Sequence, residues 1–280
     1  MPELPEVETI ANGVHERVHG QTIQSVWTSN KPQTFKSPPD EIVEVLTKSR
    51  IDRVYRVGKT IVIDLTRSKK SAQFLVHLGM TGRLLVSTPD TPIPPHTHAI
   101  LTLSSRPDAA SGNKELRFVD ARRFGRLSVV PSADAETKYA GPGKEPLTIP
   151  LEDFIALFRN RKTPIKAALL NQSLLHGVGN IYADEALFHS GIRPLRQAGR
   201  LTRAELTRLR TALQKVLRDA IKLGGSSVSD YVDADGVAGF FQLHHHVYSR
   251  TGQPCRICKT PIKRVVVGGR STHFCPTCQK

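Results

Sequence analysis

The 280-residue chain has no cysteine before position 255; all four thiols fall within its last 26 residues. A secreted domain stapled by disulfides spreads its cysteines through the fold, so this distribution excludes that class. Acid is scarce as well: 25 Asp and Glu stand against 40 Lys and Arg, a formal net charge of +15. That imbalance points to a polyanionic partner. No apolar run is long enough to span a bilayer and no basic amphipathic anchor is present, which argues against a membrane surface as the polyanion. The chain opens with Glu3, Glu6 and Glu8 instead of a basic region and an apolar stretch, so no secretory signal is read and the cytoplasm, with the nucleoid inside it, is the expected compartment. Repeats and low-complexity tracts are absent. Beyond Met1 the one methionine is Met80. With 39% apolar residues the chain can still bury real cores, and its length calls for two or three domains.

Val7, Ile10, Ala11, Val14 and Val18 recur at helical spacing, which predicts a helix starting after Glu3 and ending by Gly20. From about 22 to 130 the pattern turns to β-branched runs: Thr22 to Trp27, Ile51 to Leu65, Phe74 to Val86, His98 to Leu103 and Leu116 to Val130. Turn signals at Val57-Gly58-Lys59 and Ser111-Gly112-Asn113 separate them, as in a β-sandwich or barrel-like domain. Residues 132–150, with Pro142 and Pro146, read as a linker. Helical stripes come next. Leu151, Phe154, Ile155 and Phe158 make the first; Pro164 opens a second through Leu170; Asn180 is placed as the cap of a third ending at Gly191. Thr202 and Glu205 form a capping box for a fourth, which Gly224-Gly225 stops. Residues 226–241 lose periodicity and read as a loop.

Cys255-x2-Cys258 and Cys275-x2-Cys278 bring four thiolates into a tetrahedron, the geometry of a closed, structural zinc site, with an iron-sulfur cluster or reactive dithiols as the alternatives. Around them, residues 241–280 hold seven Lys or Arg and no acid, as suits contact with phosphate. His244-His245-His246 could ligate metal, but three consecutive residues on a strand cannot all face one way, so they read as solvated or phosphate-facing. Gly58-Lys59-Thr60 lacks the upstream glycine of a P-loop, having Arg53 there, and Asp233-Ala234-Asp235-Gly236 lacks calcium ligands at Tyr231 and Gln242. Gly177-Val178-Gly179-Asn180 is no dinucleotide fingerprint, since no strand precedes it; its backbone N–H groups at a helix start instead suit a phosphate, with Arg161, Lys162 and Lys166 just upstream. Pro2 admits two readings. With Pro5 it can simply open a helix. Removal of Met1 would alternatively leave a secondary amine titrating near pH ~8, nucleophilic at neutrality and able to form an iminium with a sugar carbon.

Five motifs occur in order: Pro2-Glu3-Leu4-Pro5-Glu6-Val7-Glu8-Thr9, His77-Leu78-Gly79-Met80-Thr81-Gly82-Arg83, Asp120-Ala121-Arg122-Arg123-Phe124-Gly125, Gly177-Val178-Gly179-Asn180-Ile181-Tyr182-Ala183 and Gly268-Gly269-Arg270-Ser271-Thr272-His273-Phe274-Cys275. Together they resemble bacterial formamidopyrimidine-DNA glycosylase, the 8-oxoguanine repair family. The resemblance implies an α+β multidomain chain: a catalytic β-sandwich with an N-terminal helix over 1–131, the linker 132–150, a helix-two-turn-helix DNA-binding domain over 151–240, and a four-cysteine zinc finger over 241–280 with one structural Zn2+. It implies a monomer that grips double-stranded DNA, carrying oxidised bases or abasic sites, between its halves. A base inside a duplex must be flipped out before its sugar can be attacked. Met80, Arg122 and Phe124 match the residues that fill the resulting hole. Pro2 matches the nucleophile, Glu3 the acid that protonates the opening sugar ring, Lys59 the lysine beside them, and Arg270 the finger arginine that holds phosphate and assists the last elimination. His96, Arg122, Arg161, Lys166 and Asn180 match positions that hold DNA. Ala121, Ser249 and Thr60 depart from the residues usual there, and Val237 offers no polar group in the 226–241 loop. Two other functions share parts of this pattern. An endonuclease VIII-like glycosylase for oxidised pyrimidines usually lacks Met80 with Arg122-Arg123-Phe124. A non-catalytic zinc-finger damage-binding protein has no need of Pro2-Glu3.

Overall fold

The structure, a computed structural model, describes residues 2–104, 113–131, 138–227 and 232–280. The expected turn residues Ser111 and Gly112, positions 132–137 of the expected linker, and Tyr231 lie outside the described residues. The chain divides into two compact units, residues 1–140 with 224–239 and residues 141–223 with 240–280.

The first unit opens with helix α1 (Leu4–Val18), followed by strand β1 (Ile23–Thr28) and the two-turn helix α2 (Pro39–Leu46). Strands β2 (Arg50–Val57), β3 (Thr60–Arg67) and β4 (Lys70–His77) form a meander, and β5 (Arg83–Ser87), β6 (Thr97–Leu103), β7 (Glu115–Val119) and β8 (Arg126–Val130) complete two four-stranded antiparallel sheets. Their orders are β2-β3-β4-β8 and β1-β6-β7-β5. One apolar core takes Ile51, Ile63, Phe74 and Leu127 from the first sheet and Ile23, Leu101, Leu116 and Phe118 from the second, so the arrangement is a sandwich. Val7, Ile10, Ala11, Val14 and Val18 of α1 join that core with at most 1% exposure, as their spacing requires. Each such side chain contributes roughly 1.5–3 kcal/mol. Ala234 also enters the core, and its carbonyl accepts from the Val86 amide at 3.0 Å, which docks the segment after residue 231 on β5.

The second unit is built from α3 (Leu151–Phe158), α4 (Ile165–Leu170), α5 (Asn180–Ser190) and α6 (Arg203–Lys222), then a hairpin of β9 (Lys263–Val267) and β10 (Arg270–Phe274). Gly179, not Asn180, caps α5; Gly179 has extended angles while Asn180 is already helical. Gly191 closes that helix at φ +71°, the left-handed conformation glycine adopts without strain. The Thr202/Glu205 capping box on α6 is present, with Glu205 accepting from the Thr202 amide at 2.8 Å. Helix α5 is buried on nearly every side, Ile181 to Phe188 without a break. Two of its carboxylates, Asp184 and Glu185, hold the backbone of the C-terminal hairpin and of the segment leading to the cysteines.

Candidate functional site

Pro2 and Glu3 are both buried at the head of α1, Glu3 at 3% exposure. The Glu6 side chain reaches back to accept from the Glu3 amide at 2.8 Å, and its other oxygen accepts from the Ser226 amide at 2.8 Å. One carboxylate therefore fixes both the helix start and the beginning of the 226–241 segment. Two turns further in sequence from Pro2, Glu8 accepts from Arg56 Nε at 2.7 Å, and the Arg56 Nη1 donates to the Gly58 carbonyl at 3.2 Å. The Arg56 side chain is 4% exposed. This chain of bonds holds the Gly58-Lys59 hairpin, where Gly58 sits at φ +62°, against the first turns of α1. Lys59 is half-buried there.

His77, at the end of β4, lines a cavity of about 360 Å3 with Lys36, Thr60, Phe124, Arg126 and Tyr139. Burial, followed by the charges of Lys59, Arg126 and Lys36, pushes its imidazole below the ordinary range. Its Nδ1 accepts from the Gly79 amide at 3.1 Å, which requires the neutral ring and pins the start of the loop that carries Met80.

Asp120 brings the expected wedge residues together. Fully buried, it accepts from Thr81 Oγ1 at 2.6 Å and the Arg122 amide at 3.2 Å through one oxygen, and from the Gly125 amide at 2.7 Å through the other. Its own amide donates to the carbonyl of exposed His96 at 3.0 Å. The loops 78–82 and 120–125 thus share one anchor. At their closest approach a Cβ on Gly79 would strike the Phe124 carbonyl, so that position accepts only glycine. Above the anchor Met80 (39% exposed) and Phe124 (48% exposed) project, and the Arg122 guanidinium lies over the Phe124 ring at 4.8 Å.

In the second unit, Gly177 at φ +90° donates its amide to Gln172 Oε1 at 3.0 Å, while Gln172 Nε2 donates to the Val178 carbonyl at 2.8 Å. This fixes the turn ahead of α5. Arg161 is half-buried beside α4, its Nε donating to the Leu157 carbonyl at 2.5 Å. Lys166 departs from expectation. It is fully buried in an ion pair with Asp184 of α5, so its ammonium is taken by an internal carboxylate instead of a phosphate. Asn180 Nδ2 is engaged too, donating to the Ser271 carbonyl of β10 at 2.9 Å.

The cysteine module hangs from α5. The second oxygen of Asp184 accepts from the His273 amide at 2.9 Å; Glu185 accepts from the amides of His246, Val247 and Tyr248, the last two at 2.9 Å. Burial pushes the Glu185 carboxyl up, but the nearby His246 ring and the hydrogen bonds from these amides outweigh it and hold it below the ordinary range. The four Sγ atoms lie within 4.8 Å of one another, with Cys255 to Cys278 at 3.9 Å and Cys258 to Cys275 at 3.4 Å. A Zn–S bond of about 2.3 Å places tetrahedral sulfurs about 3.8 Å apart, so the set fits zinc. The Ile257 and Cys278 amides each donate to a sulfur at 3.4 Å, as the thiolate form favours. Arg270 is exposed at the start of β10, after the Gly268-Gly269 turn. Ser249 holds φ +57°, which explains why glycine is usual in Val247-Tyr248-x-Arg250.

No role is read from the sequence for Glu6, His77, Asp120, Asp184 or Glu185. Glu6, His77 and Asp120 have a local signal, lying in the Pro2–Thr9, His77–Arg83 and Asp120–Gly125 motifs; Asp184 and Glu185 have none.

Residues 1–127 match the N-terminal domain of formamidopyrimidine-DNA glycosylase, 142–232 its H2TH domain, and 252–280 the zinc finger found in FPG and IleRS. A formamidopyrimidine-DNA glycosylase of Solibacter usitatus is 44% identical, with 100% of both chains covered. The crystal structure of the MutM (Fpg) protein from Thermus thermophilus matches with a TM-score of 0.84 at 41% identity, covering 99% of this chain and 98% of that one. A Lactococcus lactis Fpg variant in complex with Fapy-dG containing DNA matches with a TM-score of 0.89 at 31% identity over 100% of both chains.

Proposed function

Because this chain belongs to the formamidopyrimidine-DNA glycosylase family, we propose that its N-terminal amine, freed by removal of Met1, attacks C1′ of a flipped, oxidised purine nucleotide in duplex DNA. The chain is a DNA glycosylase of base excision repair with an abasic-site lyase activity. Pro2 N bonds to C1′ as the glycosidic bond breaks and the base leaves with its electron pair. Glu3 gives a proton to the ring oxygen as the sugar opens, leaving an iminium. Loss of a C2′ proton expels the 3′ phosphate, and a second elimination expels the 5′ phosphate. Lys59 works beside the amine, and Arg270 holds a phosphate for the later elimination. Met80, Arg122 and Phe124 fill the vacated stack, with Arg122 and His96 holding the strand; Arg161 and the turn before Asn180 hold phosphates further along. The zinc keeps the finger folded and takes no part in these steps.

The observation that carries this reading is the bonding from Glu8 through Arg56 to Gly58, which sets Lys59 against the helix that begins with Pro2 and Glu3. The charge of +15 and the bacterial relatives support a cytoplasmic monomer acting at the nucleoid, and no described helix is long and apolar enough to cross a membrane. Borohydride trapping tests it. The adduct with 8-oxoguanine or abasic DNA should map to the N-terminal peptide, and Glu3→Gln should suppress base excision while keeping binding. Binding of both DNAs without any adduct would replace the enzyme by a damage-binding protein.

A further inference from the structure

The excision chemistry makes no use of the three consecutive histidines. Residues Phe241–His244 form a 3-10 turn and no strand, so the side chains leave the backbone in three directions. His244 borders a cavity, and His245 is 4% exposed with its ring 5.5 Å from that of Tyr248. His246 turns back onto α5. Its ring meets that of His189 at 4.5 Å, edge to face, and His189 stands one helical turn beyond Glu185 on the same face.

The potential ligand atoms of Glu185, His189 and His246 all lie within 4.8 Å of one another. His246 Nδ1 is shut off from solvent without a hydrogen-bond partner. The nearest Glu185 oxygen, Oε2, is 3.6 Å away, too far for such a bond. Glu185 is immobilised by backbone amides, three of them on Oε1, while Oε2 accepts from the His246 amide at 2.9 Å and retains capacity for a further partner. The buried ring nitrogen without a partner and the carboxylate oxygen facing it, which accepts one amide and has acceptor capacity left, would both be served by one cation between them.

We infer that Glu185, His189 and His246 form a second metal site, for a divalent transition ion such as Zn2+, Ni2+ or Co2+, distinct from the four-cysteine centre. Two imidazoles and a carboxylate suit these ions, whereas Mg2+ and Ca2+ prefer oxygen alone. Metal–nitrogen bonds of about 2.1 Å need ligand atoms about 3–3.5 Å apart. His189 is exposed and closes the remaining distance by a change of rotamer. Three protein ligands leave open positions, and a cavity of about 740 Å3 bordered by His189, His244, His246 and Asp219 gives room for water or a fourth ligand there. A bound ion would clamp residue 246, on the approach to the cysteines, to α5.

The test uses the holoprotein with its four-cysteine zinc in place, titrated with Ni2+ or Zn2+ by calorimetry and followed by metal analysis after dialysis. One further equivalent should bind at micromolar or tighter affinity and raise Tm. His189→Ala and His246→Ala should each weaken that step at least about tenfold while keeping one zinc and native circular dichroism, and His244→Ala should leave it unchanged. Co2+ in the same site should show weak d–d bands without thiolate charge transfer. Absence of a second equivalent, its persistence in the His189→Ala/His246→Ala double variant, or its loss in His244→Ala alone would overturn the assignment.

Discussion

The loops 78–82 and 120–125 of the sandwich and the cysteine module of the second unit each hang from buried carboxylates that collect backbone amides. Asp120 gathers Arg122 and Gly125; Asp184 and Glu185 gather residues 246–248 and 273. Behind Asp120 stands an apolar core drawn from eight strands and α1. Behind the cysteines the cluster among the described residues is small: Phe188, Val247 and Ile262, completed by Cys255 and Cys275 themselves. A carboxylate therefore adjusts a loop in the first region, while in the second the carboxylates and the metal take the place of a core.

Removing the metal should break the comparison most severely. Structural zinc supplies roughly 10–16 kcal/mol to finger peptides, more than the few apolar contacts here can replace. Cys258→Ser or chelation should abolish amide-exchange protection in β9 and β10, leave β2 to β4 protected, and lower affinity for duplex DNA at least ~100-fold at moderate salt. Protected β9 amides in the metal-free protein would show that the core alone suffices.

Asp120→Asn should cost less. The amide turns one acceptor into a donor facing Thr81, Arg122 or Gly125, at about 1–3 kcal/mol, with the sheets intact. Excision of a paired 8-oxoguanine should fall about tenfold while trapping on a preformed abasic site is kept, because only extrusion needs the wedge. Equal losses on both substrates would move Asp120 from positioning the wedge to general folding.

His77 tests the same loop by pH. Its folded-state pKa lies below the unfolded value, so in the window between them the unfolded chain takes up a proton that the native chain does not. Stability should therefore fall as pH drops below about 6.5, and His77→Gln should flatten that slope. Parallel Tm profiles for the two proteins between about pH 5 and 7 would refute the assignment. Ser249→Gly should give the smallest effect. Relief of a left-handed φ is worth up to about 1 kcal/mol, partly offset by the entropy of glycine, and should appear as a small rise in the unfolding midpoint of the second unit.

Features with a local cause were legible in the sequence. The spacing of Val7 to Val18, the Thr202/Glu205 box and the paired Cys-x2-Cys motifs each declare their structure within a few residues. Helix α2 drew no expectation: its eight residues lie inside a span read as β-branched runs, and its one start signal is Pro39, which suits a first turn. Lys166 looked like a phosphate ligand because its partner Asp184 lies eighteen residues ahead on another helix. His246 was discounted on the geometry of a strand that does not form. Asp120 belongs with these: its carboxylate matters only once residues 81 and 125 have been brought around it, and its amide once the His96 carbonyl has.

Helix α5 joins the turn at residues 177–180 to the Arg270 hairpin through Asn180 and Ser271, and through Asp184 and His273. The turn and the hairpin are therefore the jaws of a caliper whose opening is set during folding. A nucleic-acid strand carries charges at a regular interval, about 3.4 Å of rise per phosphate in B-form DNA. If both jaws take phosphates as proposed, a caliper of fixed opening would measure that interval and be blind to the bases, so the second unit would gauge the form of the duplex and leave recognition of the lesion to the first.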